Sequence, residues 1–153
     1  MLVCTGNTCR SPLAEALLRQ ALSERGITDI EVTSAGTGAW EGAPASEGAY
    51  LVGLEHGLDL SAHRARLVTS DMVLASDLIL TMARHHRARM LELGAEGRVH
   101  LLGEFAGRAG AAAEVADPFG EDLEVYRQTR DELTGLTTVV AARLAEERRN
   151  ARG

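Results

Sequence analysis

Four short apolar runs govern what this chain can fold into. MLVC (1–4), IEVTSAG (30–36), DLILTM (77–82) and RVHLL (98–102) each have the length of a strand, and the stretches between them carry helical spacing or turn signals. Leu13, Leu17 and Ala21 recur at helical spacing, and Gly26 closes that helix. Residues 46–56 predict a second helix stopped by Gly57, residues 69–76 a short third, and ARHHRARMLELG (83–94) a fourth that ends at its glycine. Residues 106–120, rich in Ala and Gly, predict a loop. The last helix is expected from about Glu121 to Glu147, with Tyr126, Leu133, Val140 and Leu144 on one apolar face. Strands alternating with helices imply a parallel sheet covered on both faces. The expectation is an α/β fold, a three-layer sandwich with a central four-stranded parallel sheet. At 153 residues the chain suits one domain, 1–153, with a real core.

Sheets of this kind bind ligands beyond the carboxyl ends of their strands, where a loop feeds a helix N-terminus. CTGNTCRSP (4–12) falls at that place, directly after the first run, with Ser11 readable as the helix N-cap and Pro12 as its first residue. Backbone N–H groups of such a loop, over Thr5, Gly6, Asn7, Thr8 and Cys9, suit an anion, and the helix dipole adds positive potential. Gly6 tolerates backbone geometry that other residues resist. Arg10 offers a planar donor fork matched to two phosphate oxygens. Cys4 would lie beneath that anion, in a field that favours the nucleophilic thiolate. Attack on phosphorus would give a phosphocysteine for water to hydrolyse. A departing group needs a proton, and Asp117 in DPFG (117–120), in a stiff turn before the last helix, is the candidate acid and later base. Cys-x5-Arg alone is a weak signal, and Asp-Pro alone reads as a turn; the combination carries the weight.

Other chemistries fit less well. A net charge of −6 argues against nucleic acid as a partner. No apolar run reaches the ~18 residues of a membrane span, and MLVCTGN has no basic leader, so no membrane association and a cytoplasmic location are expected. Two cysteines make no disulfide framework. All 16 basic residues are arginine, so no lysine can form a Schiff base. Neither the Cys4–Cys9 spacing nor the five histidines match a zinc site, and no metal or cofactor is expected. His85 and His86, among Arg84, Arg87 and Arg89, read as a solvated helix face.

CTGNTCRSP together with DPFG resembles the low-molecular-weight protein tyrosine phosphatase family, a Rossmann-like fold. The likeness extends through TSAGT, DLSAHRAR, ASDLILTM and YRQTRDEL over nearly the whole chain. The resemblance implies Cys4 as nucleophile, Arg10 as phosphate-binding arginine and Asp117 as general acid. It implies that Asn7, Ser34 and His63 form a network holding the loop, and that the Ser11 hydroxyl stabilises the thiolate. It implies that Cys9 forms a reversible disulfide with Cys4, guarding the nucleophile against over-oxidation. Trp40 matches a region at the pocket mouth, where it either stacks on substrate or covers the core; Phe119 matches the same rim. Phosphorylated proteins are the implied substrates, with inorganic phosphate or other oxyanions as inhibitors. Family members usually carry a few more apolar residues before the nucleophile, so the expected first strand is short or the native start lies upstream.

Within the family the sequence is most similar to the bacterial protein-arginine phosphatases. Tyrosine-directed members usually carry isoleucine or another bulky apolar residue at the place of Thr8, and aromatic residues after the Asp-Pro, where this chain has Phe119 and Gly120. A polar, β-branched Thr8 would narrow the pocket and offer a hydroxyl to a guanidinium, and Asp117 could pair with that guanidinium; neutral drift at position 8 is the opposing reading. The expected function is therefore hydrolysis of phosphoarginine in proteins, with phosphotyrosine as the alternative. Thiol-dependent arsenate reductases share the fold but need further cysteines, and none follows Cys9. A non-catalytic phosphate-binding module would need neither Cys4 nor Asp117.

Overall fold

The structure, a computed structural model, describes residues 1–152. β1 (Leu2–Cys4), β2 (Ser34–Gly36), β3 (Ile79–Thr81) and β4 (Val99–Leu101) form one parallel sheet in the order β2-β1-β3-β4. α1 (Arg10–Glu24), α2 (Glu47–Glu55), α3 (Ser70–Ala75), α4 (Arg84–Glu92), α5 (Leu102–Phe105) and α6 (Leu123–Arg152) cover it. This is the expected α/β sandwich. Strand residues are almost wholly buried, as parallel strands covered on both sides must be. On one face Leu2, Leu13, Leu17, Leu80, Leu133 and Val140 pack α1 and α6 against the sheet. On the other, Val3, Val73, Ile79, Met90 and Val99 pack α3 and α4. No helix of the described residues is long and apolar enough to cross a membrane.

β1 is central, with β2 on one side and β3 on the other. The chain leaves its carboxyl end at the point where the strand order reverses, which places residues 5–9 in the ligand crevice of the fold.

Several boundaries differ from expectation for identifiable reasons. β2 is only Ser34–Gly36 rather than 30–36, because its partner β1 offers a ladder of three residues, Leu2 to Cys4. α1 begins at Arg10, with Cys9 as its N-cap and no side-chain cap; Ser11 lies inside the first turn with its hydroxyl committed elsewhere. The expected loop at 106–120 contains a 3₁₀ turn, Gly110–Ala113, and α5 precedes it. Gly103 of α5 must be glycine, since a Cβ there would overlap the Ala113 carbonyl. α6 starts at Leu123 after Asp122, whose Oδ1 accepts the Val125 N–H at 3.0 Å, and it runs on to Arg152.

Candidate active site

The loop after β1 is shaped by Asn7. Its φ of 55° is the one left-handed conformation at a non-glycine residue among the described residues. Asn7 is fully buried, and its polar groups are all engaged. Arg66 N–H donates to Oδ1 at 2.9 Å, which assigns the amide orientation, since a backbone amide can only donate. Nδ2 then donates to Ser11 Oγ at 2.8 Å and to Ser34 Oγ at 3.0 Å. His63 Nε2 donates to the Asn7 carbonyl at 2.7 Å, and Asn7 N–H points at Cys4 Sγ at 3.3 Å. Asn7, Ser34 and His63 are thus brought together, and Arg66 joins them. Such a satisfied buried network is what allows a strained backbone to persist.

The loop also rests on the chain that follows β2. Thr37 N–H donates to the Cys4 carbonyl at 3.0 Å and Gly38 N–H to the Thr5 carbonyl at 2.9 Å. A Cβ on Gly36 would overlap that Thr5 carbonyl, so only glycine fits beneath the loop.

Cys4 Sγ lies 2.9 Å from Ser11 Oγ. Ser11 Oγ already accepts from Asn7, so its proton is free for the sulfur. Two donors, the Ser11 hydroxyl and the Asn7 N–H, therefore face the Cys4 sulfur. Arg10 is buried, with Nη1 donating to the Val115 carbonyl at 2.9 Å. Its Nε is buried and meets no hydrogen-bond partner among the described residues. Nη2 lies 3.6 Å from Asp117 Oδ2, and Phe119 N–H holds the other carboxylate oxygen at 3.1 Å. Arg10 lines the same cavity as the Cys4 thiol, so its guanidinium can donate to an anion bound there.

These residues line a cavity of about 280 Å³. Cys4, Gly6 and Cys9 contribute with Arg10; Thr5, Thr8 and Asp117 add polar groups; Gly38 completes it. Trp40 and Phe119 stand at its mouth, 85% and 69% exposed, so Trp40 does not cover the core. Larger clefts, of about 620 and about 490 Å³, lie toward the amino ends of the strands; neither carries a thiol or the loop. Cys9 is buried and its thiol donates to Ser46 Oγ at 3.2 Å, with Tyr126 Oη at 3.4 Å and Thr8 Oγ1 at 3.7 Å. Burial and the contact with Cys9 push Tyr126 up to about 12, so its hydroxyl stays protonated. Gly48 makes room for that ring, because a Cβ there would overlap it. Both cysteines are free thiols.

His86 is the clearest correction. It is fully buried rather than solvated, with hydrogen bonds to Ala83 N–H at 3.1 Å and Thr5 Oγ1 at 2.8 Å. Desolvation, with like charge from His85 and Arg10, lowers it to about 3. Sequence reasoning missed His86, Ser46, Tyr126 and Arg66. For His86 a signal existed: Ala83 has no side-chain oxygen, and a residue three places into the helix reaches back to the N-cap N–H.

A family model for low molecular weight phosphotyrosine protein phosphatase matches residues 1–150. A protein-arginine-phosphatase of Geobacillus stearothermophilus is 38% identical, with 96% of each chain covered. Low molecular weight protein-tyrosine phosphatase A of Mycobacterium tuberculosis is 42% identical over 94% of this chain and 91% of that one. Among solved structures, a mutant of the YwlE arginine phosphatase with a phosphorylated active site serine superposes with a TM-score of 0.86; it is 36% identical and covers 97% of this chain and 96% of its own.

Proposed function

This chain belongs to the low molecular weight phosphotyrosine protein phosphatase family and is a cysteine-based protein phosphatase, and we propose that its substrate is phosphoarginine in proteins. The observation that carries the reading is the polar wall of the cavity: Thr8 and Asp117 line it together with Cys4 and Arg10. A guanidinium presents N–H donors along its length, and hydroxyl and carboxylate oxygens match them. A site built for such bonds rejects an analogue that leaves them unpaired. The protein-arginine-phosphatase relative supports the same reading.

The proposed reaction has two steps. The substrate phosphoryl group occupies the loop, with the Arg10 Nε and Nη2 donating to its oxygens. The Cys4 thiolate attacks phosphorus while the P–N bond breaks, and Asp117 gives its proton to the departing nitrogen. Arginine leaves and a phosphocysteine remains. Asp117, now a carboxylate, takes a proton from water as its oxygen attacks phosphorus. The P–S bond breaks, releasing inorganic phosphate and restoring the Cys4 thiolate. Asn7, Ser34, His63 and Ser11 hold the loop during both steps. Cys9 serves as the redox partner of Cys4 under peroxide, with thiols reversing the bond. Free phosphate and other oxyanions inhibit by occupying the same loop.

A second reading, phosphotyrosine hydrolysis, has a specific observation in its favour. Trp40 and Phe119 put two exposed aromatic side chains at the mouth, where they can flank a phenyl ring. Comparing kcat/KM for phosphoarginine and phosphotyrosine peptides decides between them. A higher value for phosphoarginine is expected; a higher value for phosphotyrosine rejects the proposal. Loss of all turnover in Cys4→Ser is expected with either substrate, and retained turnover would reject the thiolate mechanism.

A further inference from the structure

The reaction above leaves the buried His86 without a task. His86 lies in the first turn of α4 and is hydrogen-bonded at both ring nitrogens. The Ala83 backbone N–H can only donate, so Nδ1 accepts there and the neutral ring carries its proton on Nε2. Nε2 faces Thr5 Oγ1 at 2.8 Å and therefore donates to it. The Thr5 oxygen thus accepts from His86 and keeps its own proton for another partner. Among the described residues that hydroxyl makes no other hydrogen bond, and Thr5 lines the cavity beside Cys4 and Arg10.

Capping α4 would require only the Nδ1 contact. The second contact ties the β3–α4 junction to the residue that follows the nucleophile, 81 positions away in the chain. A buried imidazole held at both nitrogens has a fixed ring orientation, so the oxygen it grips has a fixed rotamer. Burial lowers His86 to about 3, so the donor arrangement does not change over the pH range in which a thiolate phosphatase works.

We propose that His86 is a positioning residue: by donating to Thr5 Oγ1 it directs the Thr5 hydroxyl proton to an oxygen of the phosphoryl group bound in the loop. The inference rests on the phosphatase reading but not on the choice between arginine and tyrosine substrates. Thr5 then supplies one more donor to the anion, in addition to the backbone N–H groups and Arg10.

The test uses p-nitrophenyl phosphate as substrate and inorganic phosphate as competitive inhibitor. Thr5→Val and His86→Leu are each expected to weaken phosphate inhibition and lower kcat/KM by roughly tenfold or more, the effect of a lost hydrogen bond to a charged group. The double variant should be no worse than Thr5→Val alone, because His86 acts through that hydroxyl. His86→Gln, which keeps a side-chain N–H, should recover most of the loss. In the wild type, ¹⁵N shifts of the ring should report the Nε2–H form. The proposal falls if Thr5→Val changes phosphate inhibition less than twofold, if the two losses multiply in the double variant, or if the ring proton is on Nδ1. Should His86→Leu fail to fold, Thr5→Val, His86→Gln and the ring shifts still decide. Absence of p-nitrophenyl phosphate turnover in the wild type would instead reject the phosphatase reading itself.

Discussion

Arg10 Nη2 and Asp117 Oδ2 stand 3.6 Å apart, the arginine buried and the carboxylate half exposed. The pairing has a consequence for ligand binding. A phosphoryl dianion taking the Arg10 fork meets the Asp117 carboxylate as a like charge, and a protonated Asp117 removes that repulsion. Asp117→Asn should therefore lower kcat by roughly 10²- to 10⁴-fold, the usual scale for a lost general acid. Phosphate should inhibit the variant as strongly as the wild type, or more strongly. Steady-state kinetics with phosphate as inhibitor check both, and weakened inhibition would recast Asp117 as a binding residue.

Arg10→Lys separates charge from geometry. Lysine keeps the positive charge but loses the fork that lets Nη1 hold Val115 while Nε and Nη2 face the cavity. A charge-assisted bond lost from a buried site is worth roughly 1.5–3 kcal/mol, or about 10- to 150-fold in phosphate affinity. Calorimetric titration of phosphate measures this directly. Affinity within twofold of wild type would show that charge alone binds the anion.

Thr8 carries the specificity argument. It lines the cavity, and its hydroxyl makes only a long contact of 3.7 Å with Cys9 Sγ, so it has capacity for a substrate donor. Thr8→Ile keeps the β-branch, adds apolar surface and removes the oxygen. The ratio of kcat/KM for phosphoarginine over phosphotyrosine peptides should fall by at least roughly tenfold. An unchanged ratio would shift the basis of specificity away from Thr8.

Asn7→Ala tests whether the network holds the loop. The change deprives the Arg66 N–H of its acceptor, removes a donor from both Ser11 and Ser34, and puts alanine at a φ of 55°. Unpaired buried groups and the unfavourable backbone together should cost about 2–4 kcal/mol in urea unfolding. Loss of less than about 1 kcal/mol would mean that the loop keeps its shape by other contacts, such as those over Gly36.

What was legible in the sequence follows from the range of the forces involved. The sheet could be read because parallel strands are buried runs and Gly26, Gly57 and Gly94, all at positive φ, stop helices locally. The loop could be read because its residues are contiguous. Strand ends could not, since β2 stops where β1 stops pairing, and pairing is a tertiary fact. Nor could the partners that cross the chain. Helical spacing puts Tyr126 on the apolar face, and it does pack in the core, yet its hydroxyl reaches Cys9, 117 positions away. The arginines around His86 make it read as solvated, but its register at the start of α4 turns it inward.

His86 also predicts an acid sensitivity. Its pKa is about 3 in the folded protein against 6.5 in an open chain, because burial disfavours the charged ring. Below pH 6.5 the unfolded chain gains a proton that the folded state refuses. The His86 contribution to stability is therefore complete above about pH 6.5 and is lost as pH falls from there toward 3. Between pH 7 and pH 5 the loss amounts to about 2 kcal/mol. Glu55, held at about 2 by Arg127 and Arg130, loses its stabilising charge over a lower window and leaves some acid sensitivity in any variant. Replacing His86 with glutamine removes the titration while keeping a side-chain N–H, so urea unfolding of His86→Gln should weaken between pH 7 and pH 5 by about 2 kcal/mol less than the wild type. Equal losses in the two proteins would show that His86 takes up its proton without leaving its buried place.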